Sequence, residues 1–338
     1  MVRGLERYTK INNNEAVAKF QIVKRIEAEK PSDIKSALEL HSSLKEEFKR
    51  VLRDEGKNLD LLELEPPKYS FLDLKIYILR EWLKNCNFCE RRCGVNRYKK
   101  LGFCKCGVRS YYSSEFLHMG EEPELIPSHT IFFNRCTFRC VFCQNYTIVY
   151  NDDYEVIPEE LAKIIEMRYL QGSRNVNFVG GNPDQHSHTI LEILKHVSVN
   201  IPVVWNSNMY HSSELAEIIE DIVDVWLGDF KYGNNRCAEK YSKVKRYWEV
   251  VTRNFLRAKD NGELLIRHLV MPNHIECCTE KVVKWCAENL GQDVRFNLMF
   301  QYYPTFKAWN YPEIARRLIR DEMEKSLEIA QRYLTNLV

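Results

Sequence analysis

The run FNRCTFRCVFCQNY places Cys136, Cys140 and Cys143 in a CxxxCxxC pattern directly after an apolar stretch, and no other feature constrains the chain so tightly. With 12 cysteines scattered over 338 positions, this spacing should arise by chance on the order of 0.01 to 0.02 times, so coincidence explains it poorly. Three thiolates this close can hold three corners of a cubane [4Fe-4S] cluster and leave the fourth iron without a protein ligand. Such an iron can chelate the amino and carboxylate groups of S-adenosylmethionine (SAM) and pass an electron into the sulfonium, releasing a 5'-deoxyadenosyl radical. The competing reading is a zinc knuckle or three buried thiols. A closed zinc site wants a fourth Cys or His nearby, and none follows at suitable spacing.

A second cysteine-dense segment lies upstream. In CNFCERRCGVNRYKKLGFCKCG, Cys86, Cys89, Cys93, Cys104 and Cys106 crowd together with the density of a metal site. Either a second Fe-S cluster or a zinc held by four thiolates fits that pattern. Cys86, Cys89, Cys93 and Cys104 are the expected ligands and Cys106 the spare, though Cys104 and Cys106 are interchangeable in this reading. Cys237, Cys277, Cys278 and Cys286 have no cluster spacing and read as packing residues. So many cysteines without an N-terminal apolar leader point to a reducing compartment, and the cytoplasm is the expected location. Nowhere do eighteen uncharged apolar residues occur together, so no membrane span is expected. The net charge of +2 argues against a general nucleic-acid binder, although residues 81–110 carry eight Lys/Arg against two Glu. That stretch reads as the solvated surface of a metal module or as a docking patch for an acidic partner.

From His129 onward strand and helix patterns alternate. Apolar runs predict strands at Thr130–Asn134, Val176–Val179, Val203–Trp205, Val223–Asp229, Leu264–Val270 and Val294–Met299. Helical patterns fall near 158–171, 186–198, 212–220, 247–260 and 279–289, with a closing helix over 321–334. Parallel strands need crossover helices, and those crossovers are right-handed. The expected fold is therefore α/β: a partial (β/α)6 barrel over 129–338, a cysteine-rich metal module over 80–128 and a helical extension over 1–79. Within the extension, two amphipathic helices are expected in 12–55 and a third from about Ser70. No chemistry-bearing motif stands out there, so packing or partner docking is its expected role.

Barrel enzymes keep their chemistry at the C-terminal strand ends, and the cysteine loop follows the first of these strands. The second strand leads into Gly180-Gly181-Asn182-Pro183. The third ends in Asn206-Ser207-Asn208, short polar groups suited to a ribose or a carboxylate, or to strand-end turns. The fourth ends in Asp229-Phe230-Lys231, and the fifth supplies Arg267 and His268, neighbours that must point to opposite faces. Arg267 is the better candidate for a carboxylate because its planar fork suits bidentate contact.

CxxxCxxC is the signature of the radical SAM superfamily, and the chain resembles it there. Phe142 matches the motif's usual aromatic, which by resemblance lies against the adenine of SAM. GGNP is similar to the superfamily's GGEP loop, whose backbone receives the methionine amino group, with Asn182 in place of the acid. DFKY resembles a strand end of the pyruvate formate-lyase activating enzymes, where the Asp helps to hold a cation and both charged residues face the SAM and substrate pocket. That family's other acidic cation ligand falls at Asn206, an amide here. Together with FLHMGEEPELIPSHTIFFNRCTFRCVFCQNY, RHLVMPNH and LMFQYYP, these motifs look like one largely uncharacterised branch of the activating-enzyme homologues. The resemblance runs from Cys86 to the C-terminus. It implies an oxidoreductase that takes hydrogen from a substrate, whether a protein glycine or a small metabolite or cofactor precursor. It also implies an electron donor such as a ferredoxin or flavodoxin. An Fe-S electron carrier or metal scaffold without catalysis is the alternative of another class.

Overall fold

The computed structural model of the chain describes residues 4–54 and 59–338. Its frame is a single open sheet of eight strands: β1 (Tyr111–His118), β2 (Ser128–Phe133), β3 (Tyr154–Glu155), β4 (Asn175–Gly180), β5 (Val203–Ser207), β6 (Val225–Asp229), β7 (Glu263–Leu269) and β8 (Arg295–Met299). Their order is β3-β1-β2-β4-β5-β6-β7-β8. From β2 through β8 the neighbours pair in parallel, while β1 runs antiparallel to both β2 and β3. The six parallel strands are those that the apolar runs predict, each displaced by no more than two residues. The central ones are buried on both faces and rich in apolar residues, a property of parallel sheets wrapped by helices. The wrapping helices are Pro158–Leu170, Ser187–His196, Ser213–Ile219, Tyr247–Asn261 and Glu280–Asn289, and Arg320–Tyr333 closes the chain. Among the described residues, no helix is long and apolar enough to cross a membrane.

Two elements depart from expectation. Strand β1 lies inside the segment expected to form the metal module, yet it extends the sheet on the free side of β2. The N-terminal segment forms the two helices expected in 12–55, Lys19–Val23 and Ile34–Arg53, and a further one ahead of them, Glu6–Asn12. Asp33 caps the third by accepting from the Ser36 amide at 2.8 Å, and Ser70 caps Phe71–Trp82 in the same way through the Asp73 amide.

These helices close the barrel at the N-terminal strand ends. Glu263, which opens β7, accepts from the Arg7 and Tyr8 amides at 2.5 and 2.8 Å. Asp224, just before β6, accepts from the Lys19 amide at 3.1 Å and the Val203 amide at 2.9 Å. Leu5 and Tyr8 pack with the inward-facing Val204, Val225, Leu227 and Leu265 in a small buried cluster. The extension is thus the floor of the barrel.

A buried cation fixes the outer helices to the wall. Lys75 is wholly buried, and its Nζ donates to Asp221 Oδ2 at 2.7 Å and to the Ile218 carbonyl at 3.0 Å. His41 Nε2 lies 2.8 Å from the same ammonium. Burial, and then the charges of Lys75 and Lys45, hold the imidazole pKa far below its usual value, so a neutral ring accepts this bond. Removing one partner of a buried pair leaves an uncompensated charge and costs about 3–5 kcal/mol. Lys75→Met should lower stability by that amount, read as a shifted denaturant midpoint with an unchanged slope. A midpoint equal to the parent's would show that the pair carries no such weight.

Candidate active site

The C-terminal strand ends surround a cavity of about 400 Å³. Cys136, Cys140 and Cys143 all line it, in the loop that follows β2. Burial, with Cys140 next, pushes the Cys136 thiol up to about 12, and burial raises Cys140 and Cys143 as well. Unliganded, these thiols hold their protons at neutral pH, and a metal must displace them to obtain thiolates. Donors stand ready for the resulting charge. The Phe138 amide lies 3.3 Å from Cys136 Sγ, Asn208 Nδ2 lies 3.7 Å from the same sulfur, and Ser242 Oγ lies 2.9 Å from Cys140 Sγ.

Gly180 and Gly181 lie against the strand that delivers the cysteines. Gly180 has φ +103°, and a Cβ there would stand 2.2 Å from the Phe133 carbonyl oxygen. At Gly181 a Cβ would stand 1.8 Å from the Arg135 carbonyl oxygen. Only glycine admits so close an approach at either position. Asn182 is buried, and its Oδ1 accepts from the Asn208 amide at 3.0 Å, which ties the GGNP loop to the end of β5.

In the same cavity, Lys231 Nζ donates to Asp229 Oδ2 at 2.5 Å. Burial opposes the ammonium charge, yet Asp229, Cys140 and Cys136 together raise its pKa above the ordinary lysine value. Arg267 pairs in register with Asp229. Its guanidinium grips Glu122 through Nε at 2.7 Å and through Nη2 at 2.6 Å, and also contacts Glu121. Burial works against this charge as well, and the two glutamates outweigh it. Asn206, Asn208, Phe142, Gly180, Gly181 and Asn182 complete the polar and aromatic lining, and Phe132, Val179, Leu269 and Met299 supply an apolar wall. Phe142 is held edge-on against Tyr302 and Tyr232, with ring centroids at 5.8 and 6.4 Å.

The sequence pattern of the radical SAM superfamily matches residues 130–286. The uncharacterized protein MJ0674 of Methanocaldococcus jannaschii is 48% identical over an aligned length of 344, covering 99% of each chain. This chain belongs to the radical SAM superfamily. Among solved structures it is similar to SuiB of Streptococcus suis bound to S-adenosylmethionine, with TM-score 0.47 and 14% identity over 60% of this chain. The chain spans less than half, 47%, of that protein. It is also similar to methylornithine synthase (PylB), with TM-score 0.43 and 13% identity over 98% of this chain and 77% of the other.

Membership in the radical SAM superfamily implies an enzyme that uses a [4Fe-4S] cluster and SAM. The residues present fit both groups. Cys136, Cys140 and Cys143 face one cavity, nitrogen and hydroxyl donors back two of the sulfurs, and among the described lining residues there is no fourth thiol. Each thiolate of a cubane sits on its own iron, so the three need not be as close as the ligands of a single ion.

Three of the residues expected at the site stand elsewhere. His268 faces away: its Nδ1 donates to the Phe230 carbonyl at 2.6 Å and its Nε2 accepts from Thr279 Oγ1 at 2.9 Å. Burial pushes its pKa down to about 4, so it is a satisfied neutral ring. Strand alternation turns Ser207 outward, where its hydroxyl donates to buried Asp184 at 2.9 Å, while Asn206 and Asn208 point in. Pro183 starts the turn that leads into the next helix and does not reach the cavity lining. Conversely, His118 and Glu121 do line it, from β1 and the loop after it. FLHMGEEPELIP is the sequence signal for them, and the loop after β1 places Glu121 and Glu122 beside Arg267.

The upstream cysteines gather on the flank of the cysteine loop. The Cys86 and Cys93 thiols are close enough to perturb each other, as are those of Cys104 and Cys106. Cys89 is close enough to Cys104 and Cys93 to feel both. A Cβ on Gly102 would lie 3.1 Å from Cys93 Sγ and 3.9 Å from Cys104 Sγ, which places those two sulfurs around one point. Buried Arg97 compensates charge beside Cys106, Cys104 and Cys86. Arg91 Nε reaches the Thr137 carbonyl at 2.6 Å, and Arg139 Nη2 reaches the Phe103 carbonyl at 2.6 Å, so the segment is locked to the loop between Cys136 and Cys140.

Proposed function

We propose that the chain cleaves SAM reductively on a [4Fe-4S] cluster held by Cys136, Cys140 and Cys143, and takes a hydrogen atom from a polypeptide segment such as a glycine of a partner protein. The observation that carries this reading is the convergence of the three thiols, the Gly180-Gly181 backbone and the Asp229–Lys231 pair on one cavity. When bound, cluster and SAM supply an electron and a carbon-centred radical. The protein supplies position and charge. The Gly180-Gly181 loop lets the backbone approach a methionine amino group, Phe142 offers a flat wall for an adenine, and Asn206 and Asn208 offer amides for a ribose or a carboxylate. Lys231, charged and close to the thiols, suits an anionic group. Arg267 is already engaged by Glu121 and Glu122, so it acts by positioning those carboxylates. The apolar wall of Phe132, Val179, Leu269 and Met299 keeps water from the reacting atoms.

Small-ligand cavities commonly run from about 300 to 1,000 Å³. At about 400 Å³, a space that also accepts a nucleoside-amino acid conjugate leaves little room for a second metabolite. That supports a substrate presented from outside, as a loop of another chain. The upstream cysteines would carry a second Fe-S cluster or zinc, and a small acidic redox protein of the ferredoxin or flavodoxin type would deliver the electron. The test is anaerobic turnover with dithionite, SAM and a deuterated cell extract split by size. Product 5'-deoxyadenosine should gain deuterium from the polypeptide fraction, and a glycine donor should leave a doublet in electron paramagnetic resonance. Label arriving only from the low-mass fraction would assign a metabolite substrate instead, and absence of the nucleoside would end the reading.

A further inference from the structure

Cys237, Cys277 and Cys278, which the sequence presents as packing residues, meet where the segment after β6 touches the segment after β7. Their sulfurs all lie within 4.8 Å of one another, and those of Cys277 and Cys278 are 3.9 Å apart. A tetrahedral ion with Zn–S bonds of about 2.3 Å spaces its sulfurs roughly 3.8 Å apart. Among the described residues this is the one group of three metal-ligating side chains gathered so closely.

The fourth ligand of the site is His274, which lines the same recess but lies outside the 4.8 Å that joins the three sulfurs. His274 precedes Cys278 by one turn, with the Cys278 amide donating to its carbonyl at 3.0 Å. Its Nδ1 donates to the Pro272 carbonyl at 2.7 Å, which leaves the Nε2 lone pair free to bind. This backbone contact on one ring nitrogen is how ligating histidines are oriented. The imidazole and the Cys237 thiol line one recess with Cys277.

The surroundings are built for these four residues. Asn234 caps helix Asn235–Ser242 by accepting from the Cys237 amide at 2.9 Å. Its Nδ2 donates to the Cys277 carbonyl at 2.9 Å and lies 3.9 Å from Cys278 Sγ, so one side chain touches all three cysteines. A Cβ on Gly233 would stand 2.7 Å from the Cys277 carbonyl oxygen and 2.8 Å from Cys278 Cα, so only glycine lets the two segments come this close. Residues Ile275–Thr279 form a π-helical turn, a feature that recurs at functional sites. Arg236, Lys281 and Lys240, the last paired with Glu313, line the same recess, and the first two would offset the negative charge of the thiolates. Cys286, by contrast, is fully buried and has no thiol or imidazole beside it that perturbs it.

We propose that Cys237, Cys277, Cys278 and His274 bind one divalent ion of the zinc class in a closed, tetrahedral, structural site. The ion enters as the dication while the three thiol protons leave, and no redox change is involved. With four protein ligands it has no open position and performs no chemistry on substrate. Its work is positional. Helix Asn235–Ser242 ends where the Tyr241 and Ser242 carbonyls accept from the Val141 and Arg139 amides at 2.8 and 3.0 Å. Fastening that helix to the segment after β7 therefore holds the loop that carries Cys140.

The test is metal counting and zinc-edge X-ray absorption on anaerobically purified full-length protein. One zinc per chain is expected from this site, with three sulfurs near about 2.3 Å and one nitrogen near about 2.0–2.1 Å. The double substitution Cys237→Ser with Cys277→Ser should remove one zinc and keep the iron and acid-labile sulfide. Cys86→Ser with Cys89→Ser should leave that zinc in place. Cobalt(II) exchanged into the parent protein should give thiolate charge-transfer absorption and tetrahedral ligand-field bands. His274→Ala should change those bands, and His274→Cys should restore a tetrahedral spectrum. The proposal is overturned if zinc content survives the double substitution, or if zinc is lost only with the upstream cysteines. It is equally overturned if the parent protein contains no zinc and takes up no cobalt, or if mass spectrometry of the anaerobic protein finds a disulfide within the trio.

Discussion

Cys143→Ala protein, reconstituted anaerobically with iron and sulfide and supplied with dithionite and SAM, is expected to form no detectable 5'-deoxyadenosine. The parent should form it in at least stoichiometric amount. The reason is geometric. The cavity has three thiols, all from the loop after β2, and its described lining contains no fourth that could take over a vacated corner. Substituting an outer partner of a metal site typically costs about 10–100-fold, and removing a ligand itself should exceed that range. Iron and sulfide counts on the same sample separate a lost cluster from a retained but inactive one. Product above about one hundredth of the parent rate would show that Cys143 is not a ligand and would undo the assignment of the whole loop.

Gly181→Ala should be nearly as damaging without touching any ligand. The added methyl carbon would lie 1.8 Å from the Arg135 carbonyl oxygen and 3.4 Å from Cys136 Cβ. Neither neighbour is the free end of a flexible side chain, so strand and loop must separate. Overpacking of this kind costs about 1–3 kcal/mol and more when backbone has to move. A displacement near 1 Å at a reacting centre can cost about 100-fold in rate. SAM affinity by calorimetry and cluster absorbance should therefore fall together in Gly181→Ala. Gly172→Ala provides the control, since a Cβ there has no atom within 4 Å, although its φ of +95° adds local strain. Parent-like SAM affinity in Gly181→Ala would mean that the loop is not packed on the cysteine strand.

How far the sequence could be read depended on whether a signal was local. The parallel strands were legible because most of them are buried on both faces, so apolar residues dominate them, and β8 still alternates. The cysteine loop was legible because its three members sit within eight residues of one another. Strand β1 was not: Tyr111–His118 lies near the sheet edge with seven of its eight residues half-buried and one exposed, so neither an apolar run nor an alternation appears. Missing β1 meant missing His118 and Glu121 as cavity residues, and not seeing that the carboxylates Arg267 was expected to pair with are the chain's own Glu121 and Glu122. Ser207 and His268 were misplaced for a different reason. Each neighbours a true lining residue, and a one-residue step along a strand reverses the face. The trio of Cys237, Cys277 and Cys278 was illegible in principle, because forty residues of chain separate its members and only the packing of two crossover segments joins them.

The floor of the barrel has a kinetic corollary. Arg7 and Tyr8 take their partner from Glu263, 256 and 255 positions further along, so during synthesis their helix has to wait until that strand is made. Contacts of such long range slow the search for the native state. Until they form, Leu5 and Tyr8 have no interior to fill, and the nascent chain carries exposed apolar surface that invites chaperones or aggregation.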